Sequence, residues 1–166
     1  MAEALLRTEN GLRRAIESDE PLMTDLSQHL IDAGGKRIRP GLTIASAQAL
    51  AEYPKAPTDD VIRGGVAVEL VHQGSLYHDD VIDGAETRRN VKSVNVRWGN
   101  REAILAGDYL LARASEIAAD LGTEVARLLA STIAALCEGQ VQEVRAAFDP
   151  DRTEGAYLAS ISGKTA

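Results

Sequence analysis

The chain has 166 residues, enough for one domain with its own core, and it carries 18 Lys and Arg against 25 Asp and Glu, a formal net charge of -7. That balance excludes the broadly basic surface of a general nucleic-acid binder, and a hydrophobic share of 45% excludes a disordered chain. Cys137 is the one cysteine, so neither an intrachain disulfide nor a cysteine zinc site is available; with no apolar run of ~18 residues, no membrane span is expected, and a cytoplasmic protein is the default.

Helical periodicity dominates. Leu22, Met23, Leu26, Leu30 and Ile31 recur at helix spacing, with Pro21 suited to the first turn and Gly34-Gly35 to the stop. Residues 40–52 form a second apolar helix. Thr58 is the expected N-cap of a third, with Asp59 and Asp60 favourably placed at its positive end. That helix runs through Val66, Leu70 and Leu76 to His78-Asp79-Asp80. Residues 84–100 hold Gly84, Asn90, Gly99 and Asn100 and read as a loop. Val94, Val96 and Trp98 alternate as in a strand, but no partner strand is evident. Helices over 101–119 and 121–147 follow, Asp149-Pro150 breaks the second, and Thr153 caps a last one. The expected fold is all-α. The last amphipathic pattern runs into Gly163-Lys164-Thr165-Ala166 without a cap, so a chain truncated at Ala166 is expected.

The strongest chemical signal is Tyr77-His78-Asp79-Asp80-Val81-Ile82-Asp83. Asp79 and Asp83 share one helical face about a turn, ~6 Å, apart. Asp80 lies on an adjacent face. Three carboxylates at the end of an apolar helix repel one another, and Mg²⁺ suits such hard oxygen ligands, bridging them to a substrate phosphate. A solvated acidic helix end explains the same spacing. Two basic groups, Lys36-Arg37-Ile38-Arg39 after the glycine pair and Arg88-Arg89 after the acidic run, favour an anionic, metal-bridged ligand, most simply a diphosphate. His72 stands two turns, ~10.5 Å, before Asp79 on the same face. It reads either as a satisfied core residue or as a ligand-binding one.

Gly34-Gly35-Lys36-Arg37-Ile38-Arg39-Pro40, His72, the Asp79–Asp83 run, Thr87-Arg88-Arg89, Ala106-Gly107-Asp108-Tyr109-Leu110 and Lys164-Thr165-Ala166 together resemble the trans-isoprenyl diphosphate synthases, or polyprenyl synthetases, from about residue 20 onward. The resemblance implies an isoprenoid synthase-type helical bundle, of which residues 1–166 would be the incomplete N-terminal half. It implies head-to-tail condensation of isopentenyl diphosphate with an allylic diphosphate, and usually a homodimer. It assigns Asp79 and Asp83 to Mg²⁺, with Asp80 in support, and Arg88 to the allylic diphosphate. Lys36, Arg39, His72 and Arg89 would bind the diphosphate of isopentenyl diphosphate. Lys164 and Thr165 match a Lys-Thr position near the allylic site, with Gln140 facing the same cavity. Small residues at Gly74 and Ser75, five and four positions before the first aspartate, imply a medium- or long-chain product, and Gly74→Phe or Ser75→Phe is expected to shorten it.

The sequence also departs from the family. Members are about twice as long and carry a second aspartate-rich motif, absent here, so the isolated chain is expected to be inactive. Asn90 and Lys92 stand where Gly and Pro are common. Two other readings compete: a class I terpene cyclase, which needs no second diphosphate site, and a non-catalytic half-length subunit that joins a complementary C-terminal half. Contact with membranes would be peripheral, through the lipid product.

Overall fold

In the computed structural model, which describes residues 1–51 and 56–165, apolar residues at helical spacing produce helices in nearly every place where the sequence predicts them. The chain forms two compact units, the first spanning Met1–Gly122 and the second beginning at Thr123.

The first unit opens with α1 (Ala2–Ala15), which buries Ala4, Thr8 and Leu12 along one stripe. Ala4, Leu5, Leu12, Ala15 and Ile16 recur at helical spacing, so this helix is legible in the sequence although the expected elements begin only at Pro21. α2 (Pro21–Asp32) begins with Pro21 at its first position, and the Glu20 side chain accepts from the Leu22 amide. The Gly34-Gly35 stop is real. α3 (Ile38–Ala49) follows, capped at Leu50, so it starts before residue 40 and ends short of the expected residue 52. α4 (Asp59–Ile82) is capped by Thr58, whose side chain accepts from the Val61 amide, with Asp59 and Asp60 in its first turn.

The segment expected to be a loop contains a two-residue hairpin instead. β1 (Thr87–Arg88) pairs antiparallel with β2 (Val91–Lys92), Thr87 opposite Lys92. Arg89 and Asn90 form the turn with φ of 52° and 65°. Two left-handed residues match the twist of a tight hairpin, and Asn tolerates that geometry well. The Val94–Trp98 alternation is not a strand: Val94–Arg97 is a short helix, α5. α6 (Asn100–Leu121) completes the unit.

α4 is the central element, packed by α6, α3 and α1. α6 offers it the small residues Ala103, Ala106, Gly107, Ala114 and Ala118. Small side chains let the two backbones approach, which is how a chain with 4% aromatics builds a dense core. A Cβ on Gly74 would lie 2.9 Å from the Gly107 carbonyl oxygen, so the two glycines mark the closest approach. Tyr77 is fully buried, and its hydroxyl donates to the Leu26 carbonyl at 2.6 Å, which ties α4 to α2.

The second unit is a helical pair, α7 (Thr123–Arg145) and α8 (Glu154–Thr165). The Thr153 hydroxyl accepts from the Ala156 amide, as expected of a cap. Gly139 lies against the backbone of Gly163 and Lys164, and Lys164 Nζ donates to Glu143 at 2.5 Å.

Candidate active site

The carboxylates arise from the end of α4. Asp83 is its C-cap, and the Asp83 amide donates to the Asp79 carbonyl at 2.8 Å, which places the two residues one turn apart. No basic residue occupies the last turn of α4. Three carboxylates therefore stand at the negative end of a long helix dipole, an arrangement that favours a cation. Asp79 is half-buried and Asp83 exposed.

Asp80 differs from its neighbours. It is 1% exposed, and Oδ1 accepts from Arg88 Nε at 2.8 Å and from Arg88 Nη2 at 2.5 Å. Its carbonyl accepts from the Ala85 amide and from Asn95 Nδ2, while Ser93 Oγ donates to the Ala85 carbonyl at 2.6 Å. These bonds fasten both sides of the hairpin to the end of α4. Asp80 Oδ2 is enclosed without a hydrogen-bond partner among the described residues.

The two basic segments meet across the glycine turn. Arg89 Nη1 donates to the carbonyls of Leu30, at 2.8 Å, and Gly34. Gly35 has φ of 154°, and a Cβ there would lie 2.9 Å from Arg37 Nη1 and 3.1 Å from Arg89 Cζ. Only glycine leaves room for both guanidinium groups. Lys36 and Arg39 are exposed on either side of buried Arg37. His72 faces this cluster: burial, followed by the charges of Arg39, Arg89, Arg88 and Arg37, lowers its pKa to about 4. Arg89 is also lowered, first by burial and next by Arg37, with Glu69 working against the shift. Burial first, and the arginine charges second, thus keep His72 neutral, and the same positive charges attract anions.

Hence Lys36, Arg39, His72, Arg88, Arg89, Asp79, Asp80 and Asp83 all belong to the first unit, and Arg39, Arg88 and Arg89 act on His72. Gln140, Lys164 and Thr165 belong to the second unit. Gln140 Oε1 is enclosed there without a hydrogen-bond partner among the described residues, and Thr165 ends α8. A groove of about 980 Å³ between α1, α4 and α6 contains none of these residues. Its Arg7 and Arg63 pair with Asp59 and Asp120, both at 2.6 Å, so its charges are largely matched internally.

The structure corrects the reading of Gly74. Its open side is filled by Gly107, Leu111 and Leu110 of α6 rather than by a void, so Gly74→Phe would force α4 and α6 apart instead of plugging a tunnel. Ser75 is half-buried, and its hydroxyl donates to the His72 carbonyl. Sequence reasoning also missed Glu9, Glu69 and Asn95. Glu69 carried a signal, since with Gln73 it sits on the apolar face of α4 at i and i+4. Glu9 carried none, because its partner Arg37 lies 28 residues away.

Among the described residues, no three His, Cys, Asp or Glu side chains form a metal cage by themselves. Mg²⁺ fits without one: it commonly takes one or two carboxylates and completes its shell with water and substrate phosphate. Asp79 and Asp83 are the pair whose chemistry and position suit it.

The first unit is a largely helical fold that sets the acidic end of α4 beside the basic glycine turn, joined by the Arg88–Asp80 pair and the bonds of Arg89 to the Leu30 and Gly34 carbonyls. A sequence model of the polyprenyl synthetase family matches residues 20–166, and the chain belongs to that family. It is 45% identical to nonaprenyl diphosphate synthase of Mycobacterium tuberculosis, over 98% of this chain and 46% of that protein. It is 38% identical to heptaprenyl diphosphate synthase component 2 of Geobacillus stearothermophilus, over 100% of this chain and 51% of that one. The crystal structure of a polyprenyl synthase from Caulobacter crescentus, complexed with calcium and isoprenyl diphosphate, superposes with a TM-score of 0.90 at 31% identity, covering 98% of this chain and 49% of that one. The chain spans about half the length of the relatives it matches.

Proposed function

We propose that this chain supplies the diphosphate-gripping half of a trans-polyprenyl diphosphate synthase that extends an allylic diphosphate with isopentenyl diphosphate. The observation that carries this reading is that Arg88 pairs with Asp80 at the end of α4 while Arg89 bonds the Leu30 and Gly34 carbonyls, which sets the basic glycine turn beside the carboxylates. The Caulobacter relative, whose complex holds a divalent cation and an isoprenyl diphosphate, supports both a metal and this ligand class.

In this reading Lys36, Arg39, His72 and Arg89 hold the diphosphate of isopentenyl diphosphate. Arg88 serves the allylic diphosphate, and the family resemblance gives Lys164, Thr165 and Gln140 a substrate-binding role in the second unit. Asp79 and Asp83 would hold Mg²⁺, which would supply neutralisation of the leaving diphosphate. Arg88 adds charge where the leaving oxygens develop it, and buried Asp80 holds Arg88 in that pose. As the allylic C–O bond breaks, the double bond of isopentenyl diphosphate attacks the resulting carbon. The new cation then loses a proton, and the departed diphosphate accepts it. The apolar side chains of α4 and α6 keep water from the cation.

A long product is supported by relatives named for nonaprenyl and heptaprenyl products and by the small side chain of Ser75. Because the chain spans half its relatives, turnover requires the rest of the fold, and the relative named as a component 2 supports a partner polypeptide. The test incubates the chain, alone and with a polypeptide carrying the complementary C-terminal half, with Mg²⁺, labelled isopentenyl diphosphate and an allylic diphosphate. Labelled medium- or long-chain diphosphate from the combination, and none from the chain alone, is expected. Consumption of allylic diphosphate without incorporation of label contradicts the proposal and marks a cyclase.

A further inference from the structure

We infer that Glu9, on a helix preceding the family-matched residues, is a positioning residue for the basic loop 34–39. The inference rests on the reading of that loop as a diphosphate grip.

Arg37 separates Lys36 from Arg39 and does not share their exposure: it is 8% exposed. Its φ is 48°, a strained value for a residue other than glycine, and it stands at the N-cap of α3 without a side-chain cap bond. What holds it there is its own guanidinium. Nε and Nη2 bond the two oxygens of Glu9, the latter at 3.1 Å. Nη1 bonds Glu69 Oε1 at 3.0 Å, and Nη2 bonds the Ile31 carbonyl at 3.2 Å. Burial works against its charge, yet the Glu9 bond and charge, followed by Glu69, raise its pKa. Glu69 is 2% exposed and fixed on α4. Glu9 is therefore the second jaw of a clamp, and it comes from α1, outside residues 20–166.

The clamp decides where Lys36 and Arg39 point. Gly34, Gly35 and Arg37 all have positive φ, so the loop has little intrinsic reason to hold its shape. Without Glu9, a buried Arg37 loses two of its bonds and the loop is free to rearrange. Charge alone predicts the opposite effect on binding: deleting a carboxylate near an anion site strengthens the site. The sign of the change separates positioning from electrostatics.

The experiment measures binding of isopentenyl diphosphate to the full 166-residue chain by calorimetry, and amide hydrogen exchange at residues 34–37, for wild type, Glu9→Gln and Leu12→Ala. Leu12 is fully buried on the same helix and, being apolar, takes no place in the hydrogen bonds of the Arg37 clamp, so it reports loss of α1 packing alone. Glu9→Gln is expected to weaken binding about tenfold and to speed exchange in the loop about tenfold, while Leu12→Ala lowers stability and leaves affinity within about twofold. Unchanged or tighter binding by Glu9→Gln with unchanged exchange overturns the inference. If wild type fails to bind, the diphosphate reading fails, and the exchange comparison alone still decides whether Glu9 sets the loop.

Discussion

Asp80 and Asp79 are adjacent in sequence and opposite in circumstance. The Asp80 carboxylate is sealed in with Arg88, whose side chain is 30% exposed, whereas Asp79 and Asp83 lie at the helix end. Asp80→Asn leaves a guanidinium without its counter-charge and is expected to cost about 2 kcal/mol in urea unfolding, below the full penalty of a buried pair because Arg88 reaches solvent. Asp83→Asn, at an exposed position, is expected to leave the urea midpoint nearly unchanged and to abolish Mg²⁺-dependent binding of an allylic diphosphate. His72 gives a pH signature. Its folded pKa, about 4, lies below the ordinary value of 6.5, so the unfolded chain takes up the proton first as pH falls. His72 therefore leaves stability intact above pH ~6.5 and erodes it between there and pH ~4. An NMR titration is expected to find its midpoint near 4 in the free chain and higher with diphosphate bound, since the anion offsets the arginines. A free-chain midpoint near the ordinary 6.5 would remove the electrostatic argument for the site.

At the scale of elements, the α4–α6 contact sets what substitutions mean. Ser75→Phe is expected to be tolerated and to shorten the product of the assembled synthase, read by chromatography of labelled products. Gly74→Phe is expected to unfold or loosen the first unit, with a loss of roughly 3 kcal/mol or more, because its Cβ meets backbone. In the sequence both positions look alike, since spacing before an aspartate says nothing about which neighbour fills the space. The helices themselves are legible because Pro21, Thr58 and Thr153 act locally and apolar spacing declares a buried face. The hairpin at 87–92 is not, because two residues per strand are too short for any alternation to register. α1 is legible by the rule of apolar spacing, since Ala4, Leu5, Leu12, Ala15 and Ile16 recur at helical spacing around Thr8, although it is not among the expected elements. The acidic and basic motifs are read from types and order; their convergence requires the turn at Gly35, where two arginines from distant segments share the space a side chain would occupy.

For the molecule as a whole, the first unit carries the acidic helix end and the basic turn together, while Lys164 and Thr165 lie in the second. No helix among the described residues is long and apolar enough to cross a membrane. Under the proposed function, substrate grip falls to residues 1–122 and turnover to the fuller assembly that the relatives' lengths imply. The central claim is that the basic turn holds a diphosphate. Calorimetric titration of the 166-residue chain with isopentenyl diphosphate, comparing wild type with Arg39→Ala, tests it most directly, because Arg39 is exposed and its loss leaves the buried clamp intact. The expected result is saturable binding that persists without Mg²⁺ and weakens about tenfold or more in Arg39→Ala, the loss of a charge-assisted bond pair. Binding of equal strength in the two proteins would contradict it.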